Sequence, residues 1–150
     1  MKKYIFIGLM AMVAVLFTAC ESNTPKFHKQ TVDLVVNKAN WDYDNSTNQF
    51  FCHFDVPELT AQIYDYGEVS VNREYNSGTK RAYQVALPET TYKIEEVDNG
   101  DGTTSTFYYA QHVDYAYGVG FVEVFYTISD YIYGEGFTPE AMLFRLQMSY

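Results

Sequence analysis

The stretch that decides the fold is residues 92–113, YKIEEVDNGDGTTSTFYYAQHV. Tyr92 and Ile94 begin a strand, and residues 99–102 (NGDG) offer the positive-φ positions that a tight turn requires. After the turn, a return strand carries apolar or long side chains at every second position: Phe107, Tyr109, Gln111 and Val113. The stretch therefore predicts an antiparallel β-hairpin.

The same two-residue period runs through most of the chain after residue 31, which predicts further half-buried strands. A second hairpin is predicted across the turn at residues 76–78 (NSG). Gly118 and Gly120 interrupt the pattern before it resumes. The alternating positions are Val32, Leu34 and Val36; Phe50, Cys52, Phe54 and Val56; Val69, Val71 and Tyr75; Tyr83, Val85 and Leu87; Val122, Val124, Tyr126 and Ile128; and Met142, Phe144, Leu146 and Met148.

These runs amount to about eight or nine strands, spaced roughly 8 to 15 residues apart and without helical crossovers. The pattern predicts an all-β domain, an antiparallel, immunoglobulin-like β-sandwich. A small closed β-barrel is the alternative. One short helical turn is expected at residues 139–141, where proline begins the segment.

The first residues have the composition of a signal peptide. Lys2 and Lys3 precede an apolar run at residues 4–17, and small residues then lead to Cys20. The run is shorter than the roughly 20 residues that a membrane-spanning helix needs. We therefore expect a signal peptide at residues 1–19, a tether at residues 20–30 and a single domain at residues 31–150.

Residues 16–20 (LFTAC) resemble the bacterial lipobox, although Phe17 stands where leucine is usual. The resemblance implies that Cys20 carries acyl chains, palmitate among them, which anchor the protein stably to a membrane. An ordinary signal without lipid is the alternative. In lipoproteins of this kind an aspartate after the cysteine can retain the protein in the inner membrane. Glu21 stands there instead, which favours the outer membrane of the cell envelope.

The charge of the chain disfavours some partners. The formal net charge is -9, and loss of residues 1–19 removes Lys2 and Lys3, leaving a net charge of -11. A surface of that sign repels phosphate backbones and anionic headgroups. We therefore expect no nucleic-acid partner, and membrane contact through the lipid on Cys20 alone.

Several segments are similar to those of a group of small Bacteroidetes lipoproteins. They are Trp41, residues 56–60 (VPELT), residues 67–71 (GEVSV), Leu87-Pro88 and Phe144-Arg145-Leu146. That group has no assigned activity. The resemblance implies a β-sandwich at the cell envelope and implies no reaction.

No residue set predicts catalysis, a metal site or a cofactor. Cys52 is expected to be a core thiol, and His53 would point to the opposite face of the same strand. His28, His53 and His112 lack the spacing of a zinc site. Two acidic stretches could suggest calcium, but surface turns explain them better: Asp42, Asp44 and Asn45, and residues 98–102 (DNGDG).

The 15 tyrosines are the most unusual feature, because one small core cannot bury them all. Exposed rings with a hydroxyl group suit contact surfaces for sugars or proteins. We predict such a surface from five of them: Tyr108, Tyr115, Tyr117, Tyr131 and Tyr133. The alternative is that tyrosine serves here as a strand-forming residue.

The sequence thus favours a lipid-anchored, non-enzymatic binding or structural module of the cell envelope, with a glycan or an envelope protein as partner. The second hypothesis is a carboxylate-dependent glycan-processing enzyme. It would draw on Glu95, Glu96, Asp98, Asp114 and Glu123, and it predicts a concave cleft with two converging acids.

Overall fold

The computed structural model describes residues 28–129 and 137–150. In chain order its strands are β1 Lys29–Val36, β2 Asp42–Asp44, β3 Gln49–Asp55, β4 Glu68–Tyr75, β5 Tyr83–Ala86, β6 Glu89–Asp98, β7 Thr104–Gly118, β8 Phe121–Ile128 and β9 Met142–Ser149. A 3-10 helix covers Lys38–Asn40, and a short helix, α1, covers Ala61–Tyr66.

The strands form two antiparallel sheets that pack face to face. The four-stranded sheet has the order β1-β9-β4-β5, and the five-stranded sheet has the order β2-β3-β8-β7-β6. This is the predicted all-β sandwich, and the alternative of a closed barrel is wrong because two open sheets form instead. The connectivity differs from that of immunoglobulin constant domains, whose first strand lies beside the second, since β1 here pairs with β9.

The core lies between the inner faces of the two sheets, where the two-residue period places the apolar side chains. In β8, Val122, Val124 and Tyr126 are buried, and in β9, Phe144 and Leu146 are buried. Register aligns these positions across strands: Cys52 pairs with Val124, and Val32 with Leu146. The alternation predicted for β1, β3, β4, β8 and β9 is therefore confirmed.

Both predicted hairpins are present. β4 pairs with β5 across a turn in which Asn76 and Gly78 have positive φ. β6 pairs with β7 along its whole length, and Gly100 and Gly102 have positive φ in the turn between them. Glycine supplies these conformations because it lacks the Cβ that makes them costly.

The helical turn expected at residues 139–141 is wrong. Pro139 is buried in a segment without regular secondary structure, and the indole nitrogen of Trp41 donates to the carbonyl oxygen of Glu140 at 3.2 Å. Lys38 Nζ lies 2.8 Å from Oε1 of Glu140 and forms an ion pair with it. Both contacts tie the segment to distant residues of the chain, and it forms no helical turn of its own.

Helix α1 does not follow from the two-residue period, yet its ends have clear causes. The Oγ1 of Thr60 caps its start by accepting from the amide of Ile63 at 3.4 Å, and Ile63 is buried. The helix ends at Gly67, where a Cβ would lie 2.7 Å from the carbonyl oxygens of Ile63 and Ser149. Within the two described ranges, no helix has the length and apolar character needed to cross a membrane.

Candidate functional site: a cleft between the sheets

Arg73 lies on the inner face of the four-stranded sheet. Val69, Val71, Arg73 and Tyr75 occupy successive inward positions of β4, and Val71 is fully buried. The apolar inward positions of β4 therefore end at Val71, and Arg73 begins a polar cluster beside the core. Its guanidinium side chain is only 16% exposed.

The cluster fixes the arginine on two sides. Arg73 Nη1 lies 3.6 Å from Oε2 of Glu89, and its guanidinium carbon lies 4.5 Å from the ring centre of Tyr75. The hydroxyl of Tyr75 donates to Glu89, with both carboxylate oxygens within 2.8 Å, and the ring of Tyr83 stacks on Tyr75 at 5.0 Å. The Arg73 side chain is therefore held in one orientation before any ligand arrives.

A cleft of about 490 Å³ opens beside this cluster. The five-stranded sheet supplies one wall from β6, β7 and β8, and the segment before β9 supplies another. The side chains that define the cleft are Arg73, Lys93, Glu95, Tyr109, Gln111 and Tyr126, with Phe137, Glu140 and Met142. This size falls within the range of small-molecule sites.

Hydroxyl and amide groups converge in the cleft. The Gln111 side chain lies beside the hydroxyls of Tyr109 and Tyr126, where it lowers the pKa of each and partly offsets the effect of burial. Burial raises the pKa of Tyr126 to about 12, and the pKa values of Tyr75 and Tyr109 are also raised, chiefly by burial. These hydroxyls therefore stay neutral at physiological pH and can both donate and accept hydrogen bonds.

The arrangement suits recognition of a polar ligand. Arg73 and Lys93 offer cationic donors, Glu95 offers an acceptor, and the half-buried rings of Tyr109 and Phe137 offer flat apolar faces. Two carboxylates, Glu95 and Glu140, line the cleft. Glu140 is already bound by Lys38 at 2.8 Å and is strongly exposed.

The structure does not bring the predicted tyrosine surface together. Tyr108 faces away from the core and is 67% exposed, whereas Tyr115 and Tyr117 share the inner face of β7 with buried Val113. Tyr115 packs against the core, and its hydroxyl donates to the carbonyl oxygen of Val69 at 3.4 Å. The expectation of one surface containing Tyr108 with these two residues is therefore wrong. Tyr131, Tyr133 and Cys20 lie outside the described residues.

A smaller aromatic group does form at the rim of the core. The rings of Tyr115 and Tyr117 stack at 6.2 Å, and Tyr64 of α1 meets Tyr117 edge-on at 5.9 Å. Tyr117 is 37% exposed. This trio covers the gap between α1 and β7 and leaves only part of its rings open to a ligand.

Cys52 and His53 lie as predicted on opposite faces of β3. Cys52 is buried, and burial raises the pKa of its thiol. His53 is exposed, with Nδ1 3.1 Å from Glu123 and its ring stacked on Phe121. The histidine therefore does not act as a base for this thiol.

The carboxylates of the two acidic turns accept hydrogen bonds from residues of the same turns. Asp44 accepts from the amide and hydroxyl of Ser46, and these bonds lower its pKa. Asp101 accepts in the same way from Thr103, with the same effect on its pKa. Residues 28–129 and 137–150 bring together no group of three or more His, Cys, Asp or Glu side chains suited to a metal ion.

Sequence reasoning missed Arg73 and Gln111 as site residues. The signal was present, because Arg73 occupies an inward position in the register of Val69 and Val71. A charged residue in an apolar register indicates either a buried ion pair or a polar site. Arg73 takes part in both, because it pairs with Glu89 and also lines the cleft.

Comparison of the chain with known protein families, with curated proteins and with solved structures found no significant match.

Proposed function

We propose that the protein is a lipid-anchored, non-enzymatic binding module of the cell envelope, attached through Cys20 to the outer membrane. In this proposal the cleft is the ligand site and the ligand is an envelope glycan. The sandwich serves as a rigid frame that holds the cleft at the end of a short tether.

The observation that supports the proposal most is the position of Arg73. A sandwich that needed only stability could continue its apolar core at this level, since buried ion pairs contribute little net stability. Instead the chain places an arginine with 16% exposure beside an open cleft, fixed by Glu89 and Tyr75. A fixed, partly desolvated donor binds a ligand with little loss of side-chain entropy.

The chemistry of the lining favours a sugar. Sugar rings present apolar faces that stack on aromatic rings and hydroxyl groups that bond with planar polar side chains. Tyr109 and Phe137 offer the rings, while Arg73 and Gln111 offer the planar donors. The net charge of -11 expected after processing disfavours strongly anionic polymers.

The test is direct binding. The full chain, purified in mild detergent, is titrated with soluble peptidoglycan fragments and with lipopolysaccharide-derived oligosaccharides, and binding is measured by calorimetry. We expect binding of one of these probes to weaken at least ten-fold in Arg73→Gln and Gln111→Ala. Tyr108→Ser, on the opposite face of β7, is the matched control and should bind as the wild type does.

If Tyr108→Ser loses binding while the two cleft variants keep it, the cleft is not the ligand site. If the wild type binds neither probe, the glycan proposal is wrong. Circular dichroism and urea unfolding show that each variant is folded before its binding is compared.

A glycan-processing enzyme is the second candidate, favoured by the presence of Glu95 and Glu140 in one cleft. The same oligosaccharides are incubated with the wild type and with Glu95→Gln, and the products are analysed by mass spectrometry. We expect intact oligosaccharides in both samples. Cleavage by the wild type that disappears in Glu95→Gln would establish the enzyme instead.

A further inference from the structure

Strand β6 forms the longest open edge of the sandwich. In the part of the chain that the structure describes, it lies at the end of the five-stranded sheet and pairs with β7. It has 10 residues, and the other edge strands β1, β2 and β5 have 8, 3 and 4. Long open edges invite pairing with another strand, and short ones do not.

The open edge presents the backbone groups of the even-numbered residues of β6. The amide of Asn99 donates to the carbonyl oxygen of Thr103 at 3.0 Å, which shows that odd-numbered residues bond toward β7. Because backbone groups alternate between the two edges of a strand, those of Tyr92, Ile94 and Glu96 point to the open side.

The most exposed apolar side chains near this edge lie together on the outer face. Tyr92 is 84% exposed, and Ile94 and its cross-strand partner Tyr108 are each 67% exposed. They flank a shallow, mainly apolar depression formed by β6, β7 and Ser129. Exposed apolar groups beside open backbone groups are typical of a surface that another strand covers.

We propose that the β6 edge pairs antiparallel with the β6 edge of a second copy of this chain, with Ile94 facing Ile94 on a two-fold axis. Such pairing joins two five-stranded sheets into one continuous sheet and is self-complementary. The proposal concerns assembly and does not depend on the glycan ligand.

Charge selects the partner and the register. With Ile94 on the axis, Lys93 of each copy lies opposite Glu95 of the other, which gives two opposite-charge pairs. Shifting one strand by two residues places Lys93 against Lys93, or Glu95 against Glu95. A shift by one residue places the open backbone groups of one β6 strand opposite residues of the other β6 strand whose backbone groups already bond to β7. Charged residues commonly protect edge strands, and here they leave one favourable register.

The charge pairing is tested by sedimentation velocity of the full chain in mild detergent, without ligand, over a roughly hundred-fold range of concentration. We expect the wild type to dimerise. Lys93→Glu and Glu95→Lys should each raise the dimer dissociation constant at least ten-fold. A mixture of these two variants should dimerise again, and so should the double variant, because opposite charges then face each other.

A monomer at every concentration, or single variants that dimerise like the wild type, would overturn the self-pairing. Both side chains are exposed or half-buried on the strand surface, and urea unfolding verifies that the variants fold. Since no ligand is present, this result stands apart from the glycan titration.

The register is tested by cross-linking in the bacterial envelope. Residues that face each other in a hydrogen-bonded pair have Cα atoms about 5.5 Å apart, which a disulfide can span. Ile94→Cys should therefore give an oxidant-dependent covalent dimer on a non-reducing gel. Glu96→Cys is the matched control, since Glu96 faces Tyr92 of the partner copy. Equal yields from both variants, or none above the wild type, would overturn the register.

Discussion

At the scale of single residues, the buried tyrosine hydroxyls link stability to pH. The ring of Tyr126 is fully buried, while its hydroxyl lies at the wall of the cleft. Burial raises the pKa of this hydroxyl from 10.0 to about 12. The folded state therefore favours the neutral form. The resulting stability is complete below pH 10 and is lost as the pH rises from 10 toward 12.

Tyr126→Phe should reduce the alkaline loss of stability. Between about pH 9 and about pH 11.5, the free energy of unfolding of the wild type should decrease. That of Tyr126→Phe should decrease by about 1–2 kcal/mol less, a figure that allows for solvent near the hydroxyl. Urea unfolding at both pH values measures the difference. Tyr66→Phe, at a strongly exposed position, should behave as the wild type does. An identical alkaline loss in Tyr126→Phe would contradict the argument.

Gly67 illustrates a steric requirement at one residue. A methyl group there would lie 2.7 Å from two backbone oxygens, of Ile63 and Ser149, and neither can rotate away. We therefore expect Gly67→Ala to lower the free energy of unfolding by about 2–3 kcal/mol. Ser70→Ala, at an exposed position of β4, should change it by less than about 0.5 kcal/mol. Urea unfolding compares the two, and equal stabilities would show that the backbone adjusts.

At the scale of elements, the two edges of β6 should respond differently to proline. Proline removes an amide donor, and the amide of Lys93 points toward β7 whereas that of Ile94 points to the open side. We expect Lys93→Pro to cost about 3 kcal/mol or more and Ile94→Pro about 1 kcal/mol or less. Urea unfolding at low protein concentration measures both. Equal costs would contradict the assignment of the open edge and remove a premise of the self-pairing.

Strands and turns were predictable from local pattern, and short elements were not. The alternation in β3 and β8 and the glycine-rich turn of residues 99–102 define their structures locally. Helix α1 has six residues and β2 has three, too few for a period to emerge. The segment at residues 139–141 looked helical because proline begins it. Its real constraint is the distant indole of Trp41, which no local pattern contains.

At the scale of the whole molecule, the candidate site depends on which strands become neighbours. Parity alone separates Tyr108 from Tyr115 and Tyr117, because alternate residues of β7 face opposite sides. The separation of Tyr108 from the other two tyrosines is therefore predictable from the sequence. The cleft could not be predicted in the same way, since it needs Arg73 of one sheet to face Glu89 of the other. Only the order of strands brings these residues together.

The proposed anchor also concerns the whole molecule, because it fixes where the cleft and the β6 edge operate. The chain has two cysteines, and Cys52 is buried in the core with a raised thiol pKa, so acylation there is disfavoured. Cells grown with labelled palmitate should therefore label the wild type and Cys52→Ala, and should not label Cys20→Ala. Labelled Cys20→Ala would contradict the anchor. Loss of label in folded Cys52→Ala would instead place the lipid on the core cysteine, and the proposed attachment of the binding module through Cys20 would then be wrong.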